Sequence, residues 1–263
     1  MISAHSIRRH GPLLRNLIRR EVRQRHKGSI LGLGWNLVIP GVMIGTYTFV
    51  FRYIFRSGVP DYSLFLVTGM GVWALFATGS QVAASSLVAN ANLVKKVKFP
   101  REILPLSAMA GNALTALTML GLALAFCLVA RPVGLSLLML PLNLVLLAVF
   151  TTGFGLLLSS TTVYFRDVEH LFGALTMPWF FLTPILFAFS DLPASIKENA
   201  WLLRILHYGN PITPFVLSVQ DSVFWGTWPD LGDLTYCAVA APLVLAVGLR
   251  VFRRLEKGMA LEL

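Results

Sequence analysis

The sequence predicts an all-α integral membrane protein with six transmembrane helices, an N-terminal amphipathic interfacial helix and short extracytoplasmic helices between spans five and six. Hydrophobic residues make up 56% of the 263 residues and charged residues only 13%, against roughly 25% charged residues in soluble domains. Three stretches, 62–94, 103–130 and 132–165, contain no Asp, Glu, Lys or Arg. Each exceeds the roughly 20 apolar residues that cross a bilayer, and one charge at a helix centre costs about 2.5 to 3.5 kcal/mol. These observations argue against a soluble globular domain.

The first 32 residues predict a cytoplasmic interfacial helix. At about 100° per residue, apolar residues fall on one half of the helical wheel and arginines on the other. The apolar set is Leu13, Leu14, Leu17, Ile18 and Val22, and the basic set is Arg15, Arg19 and Arg23. Such a helix lies in the membrane plane with its arginines on the anionic cytoplasmic leaflet. A solvated basic arm that only helps to set the topology is the alternative.

Charge-free length predicts six spans between residues 33 and 251, with bounds good to about four residues. The spans are 33–52, 63–89, 104–129, 135–160, 171–190 and 234–251. Residues 252–263 are then a cytoplasmic tail, and residues 1–263 form a single transmembrane domain. Between spans five and six, the apolar segment 211–224 is too short to cross a bilayer, which predicts a re-entrant or interfacial helix.

The distribution of basic residues predicts the topology. With both termini in the cytoplasm, all but five of the 22 Lys and Arg residues lie on the cytoplasmic side. The five are Arg52, Arg56, Arg131, Lys197 and Arg204. The positive-inside rule therefore favours a multi-pass protein with both termini inside. The net charge of +10 reflects this topology and does not indicate nucleic acid binding.

The sequence contains no recognisable catalytic, cofactor or metal site. The phosphate-binding pattern GxxxxGK is absent, as are HExxH and GxSxG. Cys127 and Cys237 are far apart, with no CxxC and no His at ligand spacing. The predicted spans carry almost no ionisable groups, which argues against an ion-coupled transporter. Energy is therefore expected to come from another subunit.

Three predicted cytoplasmic segments carry a family pattern. The first, from Leu17 to Pro40, contains Arg23, Arg25, Lys27, Gly28, Ser29, Leu31, Gly32 and Trp35. The second runs from Leu93 to Pro105, and the third is Tyr164-Phe165-Arg166-Asp167-Val168. Together with Asn210-Pro211, they resemble the permease subunits of type-2 ABC transporters that export polysaccharides, over essentially the whole chain. The resemblance is strongest to the O-antigen branch, with teichoic-acid and capsule exporters as relatives.

The resemblance implies a permease of the bacterial inner membrane that works as a homodimer with two copies of a separate P-loop ATPase. The partner ATPase would bind ATP and magnesium, and this chain would bind no cofactor. The implied cargo is a polysaccharide linked to undecaprenyl pyrophosphate, handled among membrane lipids.

The resemblance also implies two functional regions. Contact with the ATPase is implied for Lys95, Lys96, Lys98, Phe99, Pro100, Arg101, Glu102, Arg166 and Asp167. On the alternative interpretation, the lysines are only topology anchors and Arg166 and Asp167 a local ion pair. Loading of the lipid-linked glycan is implied for Arg23, Arg25, Lys27, Gly28, Ser29 and Trp35, because basic side chains suit a pyrophosphate headgroup.

Aromatic residues in spans one, two and five are candidates for a channel lining, because the C–H faces of sugars stack on aromatic rings. The candidates are Tyr47, Phe51, Trp73, Phe76, Trp179 and Phe180. Two other functions stay open on the sequence alone. One is a type-2 ABC permease for a drug or a small lipid, and the other is an ATPase-independent channel or scaffold. An intramembrane enzyme is disfavoured because no polar catalytic constellation is visible.

Overall fold

The computed structural model describes residues 4–26, 31–54, 58–97, 99–130 and 134–263. Within these ranges every regular element is helical and none is a β-strand. The helices are α1 (Ala4–His26), α2 (Trp35–Thr48), α3 (Tyr62–Trp73), α4 (Gly79–Ala89), α5 (Ala91–Lys96), α6 (Ile103–Ala130), α7 (Leu140–Tyr164), α8 (Asp167–Leu182), α9 (Ala194–Lys197), α10 (Ala200–Arg204), α11 (Thr213–Gln220), α12 (Leu231–Leu255) and α13 (Met259–Glu262). The predicted all-α fold is confirmed.

Five helical segments among the described residues are long and apolar enough to cross a membrane. They are Leu37–Ile54, Tyr62–Ala89, Ile103–Ala125, Leu135–Tyr164 and Leu231–Leu255. These segments correspond to predicted spans one to four and six, and the predicted bounds agree within about four residues. The second segment joins α3 to α4 through a π-helical turn at Ala74–Thr78.

The predicted fifth span, 171–190, does not form one helix. Helix α8 begins earlier, at Asp167, and ends at Leu182 after 16 residues, a length of about 24 Å against the roughly 30 Å of a hydrocarbon core. Thr183 is extended because it precedes Pro184, and a residue before proline is disfavoured in the helical conformation. The predicted helical end at 190 is therefore wrong, and the count of six spans stays a prediction.

The non-helical stretch after α8 is buried and its polar groups are bonded within the protein. Tyr62 Oη donates to the Leu186 carbonyl oxygen, and Gln220 Nε2 donates to the Pro184 carbonyl oxygen at 3.1 Å. Asn210 Nδ2 donates to Thr183 Oγ1 at 2.9 Å. Irregular backbone is tolerated at membrane depth only where the protein satisfies it in this way. The predicted re-entrant segment supplies Gln220, since α11 lies buried against α3 and α12.

Glycines permit a close contact between α7 and α12. A Cβ added to Gly248 would overlap the carbonyl oxygen of Gly153, and one added to Gly153 would overlap the backbone of Leu245. Small residues let membrane helices approach this closely. At Gly41 and Gly45 of α2, by contrast, no atom of the described chain lies within 4 Å of an added Cβ.

The helix ends form two chemically different ends of the bundle. At the basic end, α4, α7 and α12 end, α6 begins, and a shared apolar cluster includes Leu17 of α1 and Met259 of α13. The opposite, acidic end carries Asp221, Asp230 and Asp233. Both terminal helices thus lie at the same end of the bundle. The side of the membrane that this end faces stays a prediction.

Candidate functional site

An aromatic groove with a volume of about 430 Å³ lies between α2, the α3–α4 segment and α8. Its wall consists of Met43, Tyr47, Met70, Trp73, Ala77, Thr78, Gln81, Gly173, Thr176, Met177, Phe180 and Phe181. Three of the six predicted channel aromatics, Tyr47, Trp73 and Phe180, are in this wall. We call this feature the aromatic groove.

The π-helical turn at Ala74–Thr78 forms part of the groove wall. Such a turn inserts an extra residue per turn, re-aims the side chains around it and is frequent at functional sites. Asn112 Nδ2 of α6 donates to the Ala74 carbonyl oxygen at 3.2 Å and so bonds backbone at the turn. Residues on both sides of the turn, Trp73 and Gln81, consequently line the same groove.

Ring contacts hold the aromatic wall in one arrangement. The Trp73 and Phe180 rings meet edge to face with centroids 5.6 Å apart, and the Tyr47 and Phe180 centroids are 6.0 Å apart. Trp179 supports them from behind: its ring lies 6.2 Å from that of Trp73, and its Nε1 donates to Asn210 Oδ1 at 2.8 Å. Edge-to-face pairs of this kind contribute about 0.5 to 1.5 kcal/mol each.

The other predicted channel aromatics do not line the groove. Phe76 is fully buried, and its ring packs 5.3 Å from that of Trp179. Phe51 stacks on Tyr62 with centroids 5.9 Å apart, outside the groove wall. The role of these aromatic residues in a channel stays a prediction, and spacing alone did not separate residues of the groove wall from residues outside it.

Three polar side chains interrupt the aromatic wall, and the sequence analysis missed them. Thr78, Gln81 and Thr176 line the groove, and Gln81 Nε2 donates to the Glu169 carbonyl oxygen at 3.3 Å. A wall of aromatic faces with a few fixed polar groups is the usual composition of a binding cleft. The sequence signal that could have indicated two of them is spacing. Thr78 and Gln81 follow Trp73 by about one and two helical turns.

The predicted coupling residues fall into two groups at the basic end. Lys95 and Lys96 are exposed at the end of α5, and Arg166 and Asp167 are exposed where α8 begins. In the described part of the chain, Arg166 and Asp167 form no ion pair with each other. Lys98 lies outside the described residues.

The second group anchors the loop after α5 to the C-terminal end of α12. Arg101 Nη1 donates to the Glu256 carbonyl oxygen, and Arg253 Nε lies 3.7 Å from Glu102 Oε1. Burial raises the pKa of Glu102 even though the Arg253 guanidinium opposes the shift. Phe99 packs on the apolar cluster of this end. These residues hold the loop after α5 in place, while Lys95 and Lys96 project from the end of α5.

Two apolar residues beside the predicted coupling segments were missed. Val97 is 51% exposed and Phe165 is 69% exposed. Each lies next in sequence to a predicted coupling residue, so the basic end presents exposed apolar and cationic side chains together. Single exposed apolar residues are common on protein surfaces, but their proximity to Lys96 and Arg166 fits a partner interface.

The predicted loading region is only partly described. Helix α1 exposes Arg15, Arg19 and Arg23, whereas its Leu17 is buried in the apolar cluster of the basic end. Its apolar face therefore rests on the bundle, where α1 packs against α6. Arg20 Nη2 also donates to Asn90 Oδ1 between α4 and α5.

At the start of α2, Trp35 is 43% exposed. Arg25 lies in α1, whereas Lys27, Gly28 and Ser29 lie outside the described residues. Between α1 and α2, Gly32 has a φ of +48°, a conformation that glycine adopts without steric cost.

The acidic end holds a polar cluster that the sequence analysis did not identify. His207 Nε2 lies 2.6 Å from Oδ1 of Asp233, which is buried. Asp230 caps α12 by accepting hydrogen bonds from the backbone N–H groups of Gly232 and Asp233. Burial, together with Asp233 and Asp230, raises the pKa of Asp221 to about 6.

Comparisons with known proteins identify the family. The family model described as "ABC-2 type transporter" matches residues 12–224. The O-antigen export system permease protein RfbA of Klebsiella pneumoniae is 28% identical over 246 residues, which cover 93% of this chain and 92% of that protein. RfbA of Myxococcus xanthus is 27% identical, with 91% of each chain covered. The polysialic acid transport protein KpsM of Escherichia coli is 24% identical, with 92% of this chain and 93% of that protein covered.

The matched region contains α2 to α8 with the aromatic groove, and both segments predicted to contact an ATPase. The similarity to the three relatives extends over nearly the full length of each. On this evidence, the chain belongs to the ABC-2 type transporter family.

Proposed function

We propose that this chain is the transmembrane permease subunit of an ATP-driven exporter that moves a lipid-linked, O-antigen-like polysaccharide across the bacterial inner membrane. The family and the names of the O-antigen and polysialic acid relatives support an export function. The aromatic groove carries the proposal, because it offers ring faces and fixed polar groups along a transmembrane surface. Sugars bind to such surfaces through C–H contacts with the rings and hydrogen bonds to their hydroxyl groups.

The transport pathway forms between two copies of the chain. In one chain, the groove is bordered by side chains that are still exposed, including Met177 at 71% and Phe181 at 49%. In the adjacent spanning segment, Leu37–Ile54, which includes most of α2, no residue is buried. A second copy facing the groove would complete its wall and cover α2, which supports a homodimer.

Two copies of a separate P-loop ATPase drive the cycle and bind ATP and magnesium. They dock on the basic end, where Lys95, Lys96 and Arg166 project and where the Arg101 contact links the loop to α12. ATP binding in the partner shifts the permease between conformations only if the partner binds one of them more tightly. In this arrangement the basic end is cytoplasmic, with both termini inside.

Loading occurs next to the junction between α1 and α2. Arg23 is exposed on α1, and Trp35 is exposed at the start of α2. With Arg25, Lys27, Gly28 and Ser29, they form the region that receives the pyrophosphate of the undecaprenyl carrier. Guanidinium groups suit this headgroup because they bind phosphate oxygens in a bidentate manner.

The test compares two matched substitutions in a strain that lacks the chain. Phe180→Leu removes a ring from the groove wall, and Phe51→Leu removes a half-buried ring that lies outside it. We expect Phe180→Leu to lower surface polysaccharide roughly threefold to tenfold and to leave carrier-linked glycan inside the cell. Phe51→Leu should restore export at equal protein levels. Normal surface polysaccharide in the strain without the chain would contradict the proposed function, and equal export by both variants would contradict the role of the groove.

A further inference from the structure

Helix α12 has two opposite faces with different surroundings. One face packs against α7 through Gly248 and is buried along Cys237, Ala241 and Phe252. The opposite face is exposed along Val239 (65%), Leu243 (60%) and Val247 (45%). Helix α12 therefore packs against the bundle with one face and exposes an apolar stripe on the opposite face.

The exposed stripe continues into a basic groove at the basic end. An open surface groove of about 870 Å³ there is lined by Arg250, Arg253, Arg254 and Lys257, together with apolar residues of α12. At 100° per residue, Val239, Leu243, Val247, Arg250 and Arg254 fall within an arc of about 80°. The distance along the helix from Val239 to Arg250 is about 16 Å, close to half of a hydrocarbon core of roughly 30 Å.

Among the described residues, an ion pair balances only one of the four basic side chains in this groove. Arg253 has Glu102 at 3.7 Å, whereas Arg250, Arg254 and Lys257 have no ion-pair partner among the described residues. Like charges one helical turn apart, such as Arg250 and Arg254, repel each other. An external anion would relieve this repulsion, and arginine and lysine bind phosphate groups strongly.

We propose that the basic groove of α12 binds the phosphate headgroup of an acidic phospholipid from the leaflet that meets the basic end. The acyl chains lie along Val239, Leu243 and Val247, over a length that matches one leaflet. The phosphate lies among Arg250, Arg254 and Lys257, where the attraction of basic residues for anionic lipid is greatest. This site shares no lining residue with the aromatic groove, and it does not depend on the cargo proposed above.

The first test measures lipid retention by native mass spectrometry of the full chain. The protein is released from membranes that contain phosphatidylethanolamine with either phosphatidylglycerol or phosphatidylcholine. We expect retained phosphatidylglycerol on the wild type, and at least a fivefold loss of it in the Arg250→Ser/Arg254→Ser/Lys257→Ser variant. The control is Lys95→Ser/Lys96→Ser/Arg166→Ser, which removes three exposed cations at the same end but outside the groove; it should retain the lipid as the wild type does. Equal loss in both variants, or equal retention of the two lipids, would overturn the proposal.

A second measurement needs no variant and therefore does not depend on folding of the triple substitution. Phosphatidylglycerol with a photoreactive acyl chain is crosslinked to the wild-type protein, and the labelled peptides are identified. We expect label on 239–257, with competition by unlabelled phosphatidylglycerol and none by phosphatidylcholine. Label confined to other helices would overturn the site. Displacement by an isoprenoid pyrophosphate but not by phosphatidylglycerol would overturn the assignment to a phospholipid.

Discussion

The carboxyl group of Asp221, at the acidic end, occupies surroundings that penalise its charge. Asp221 is half-buried, and Asp230 and Asp233 lie near enough to raise its pKa further, to about 6. His207 contacts Asp233 and stacks on Tyr208 with ring centroids 4.2 Å apart. The cluster joins the segment before α11 to the start of α12.

Asp221→Asn should make stability less dependent on pH. The native pKa of about 6 exceeds the ordinary value of 3.8, so between those pH values the native state binds more protons than the unfolded state. Wild-type stability therefore falls as pH rises through this window, and the loss is complete above it. We expect Asn to remove this fall and to stabilise the protein by about 1 kcal/mol at pH 7, after allowance for partial solvent exposure.

The measurement is the midpoint of thermal unfolding in detergent across that pH range. The exposed Glu198→Gln substitution is the charge-matched control, because it removes a carboxylate from the same region without changing a buried one. A pH dependence in Asp221→Asn as steep as in the wild type would show that Asp221 is not the responsible group.

In helix α5 and the loop after it, some residues project from the surface and others anchor the loop to α12. Lys95 and Lys96 are exposed, while Arg101 donates to the Glu256 carbonyl oxygen at the end of α12. The sequence predicted the whole segment as one contact surface. It could not separate projecting from anchoring residues, because the partner of Arg101 lies 155 residues further along the chain.

Replacing the projecting residues and the anchoring residue should give different results. We expect Lys95→Ser/Lys96→Ser to lower transport-linked ATP hydrolysis while thermal stability and insertion stay at the wild-type level. Arg101→Ser should also destabilise the chain by about 1 to 3 kcal/mol, because it removes a charge-assisted hydrogen bond from the end of α12. ATPase assays and unfolding midpoints of the purified complex separate the two effects.

The control for charge is Lys197→Ser/Arg204→Ser, which removes two exposed cations remote from α5. Unchanged ATP hydrolysis in Lys95→Ser/Lys96→Ser would show that these lysines serve only as topology anchors.

The close approach of α7 and α12 depends on the absence of a side chain at Gly153 and Gly248. Gly248→Ala should destabilise the protein by about 1 to 3 kcal/mol or more, because the new methyl group would overlap the Gly153 carbonyl and force the helices apart. Gly121→Ala in α6 is the matched control, since nothing lies within 4 Å of its added Cβ. We expect it to be neutral or slightly stabilising. Similar unfolding midpoints for the two variants would contradict the close approach of α7 and α12.

At the scale of the whole molecule, composition determines much of what the sequence can predict. Insertion selects against charge within a span, so charge-free length located five of the helical segments. The end of α8 was misjudged because the stretch stays apolar to residue 190, although Pro184 is the signal that ends the helix. The aromatic groove depends on a π-helical turn and on distant helices, and no local pattern in the sequence encodes that juxtaposition.

The proposed function requires that this chain works as a dimeric permease with a separate ATPase. The most direct test is affinity purification of the tagged chain in mild detergents, followed by identification of the co-purifying subunits and an ATPase assay. We predict two copies of the chain with two copies of a P-loop ATPase, and ATP hydrolysis that Lys95→Ser/Lys96→Ser lowers. A chain that purifies without any ATPase in several detergents, while polysaccharide export continues in cells that lack a partner ATPase, would contradict the claim.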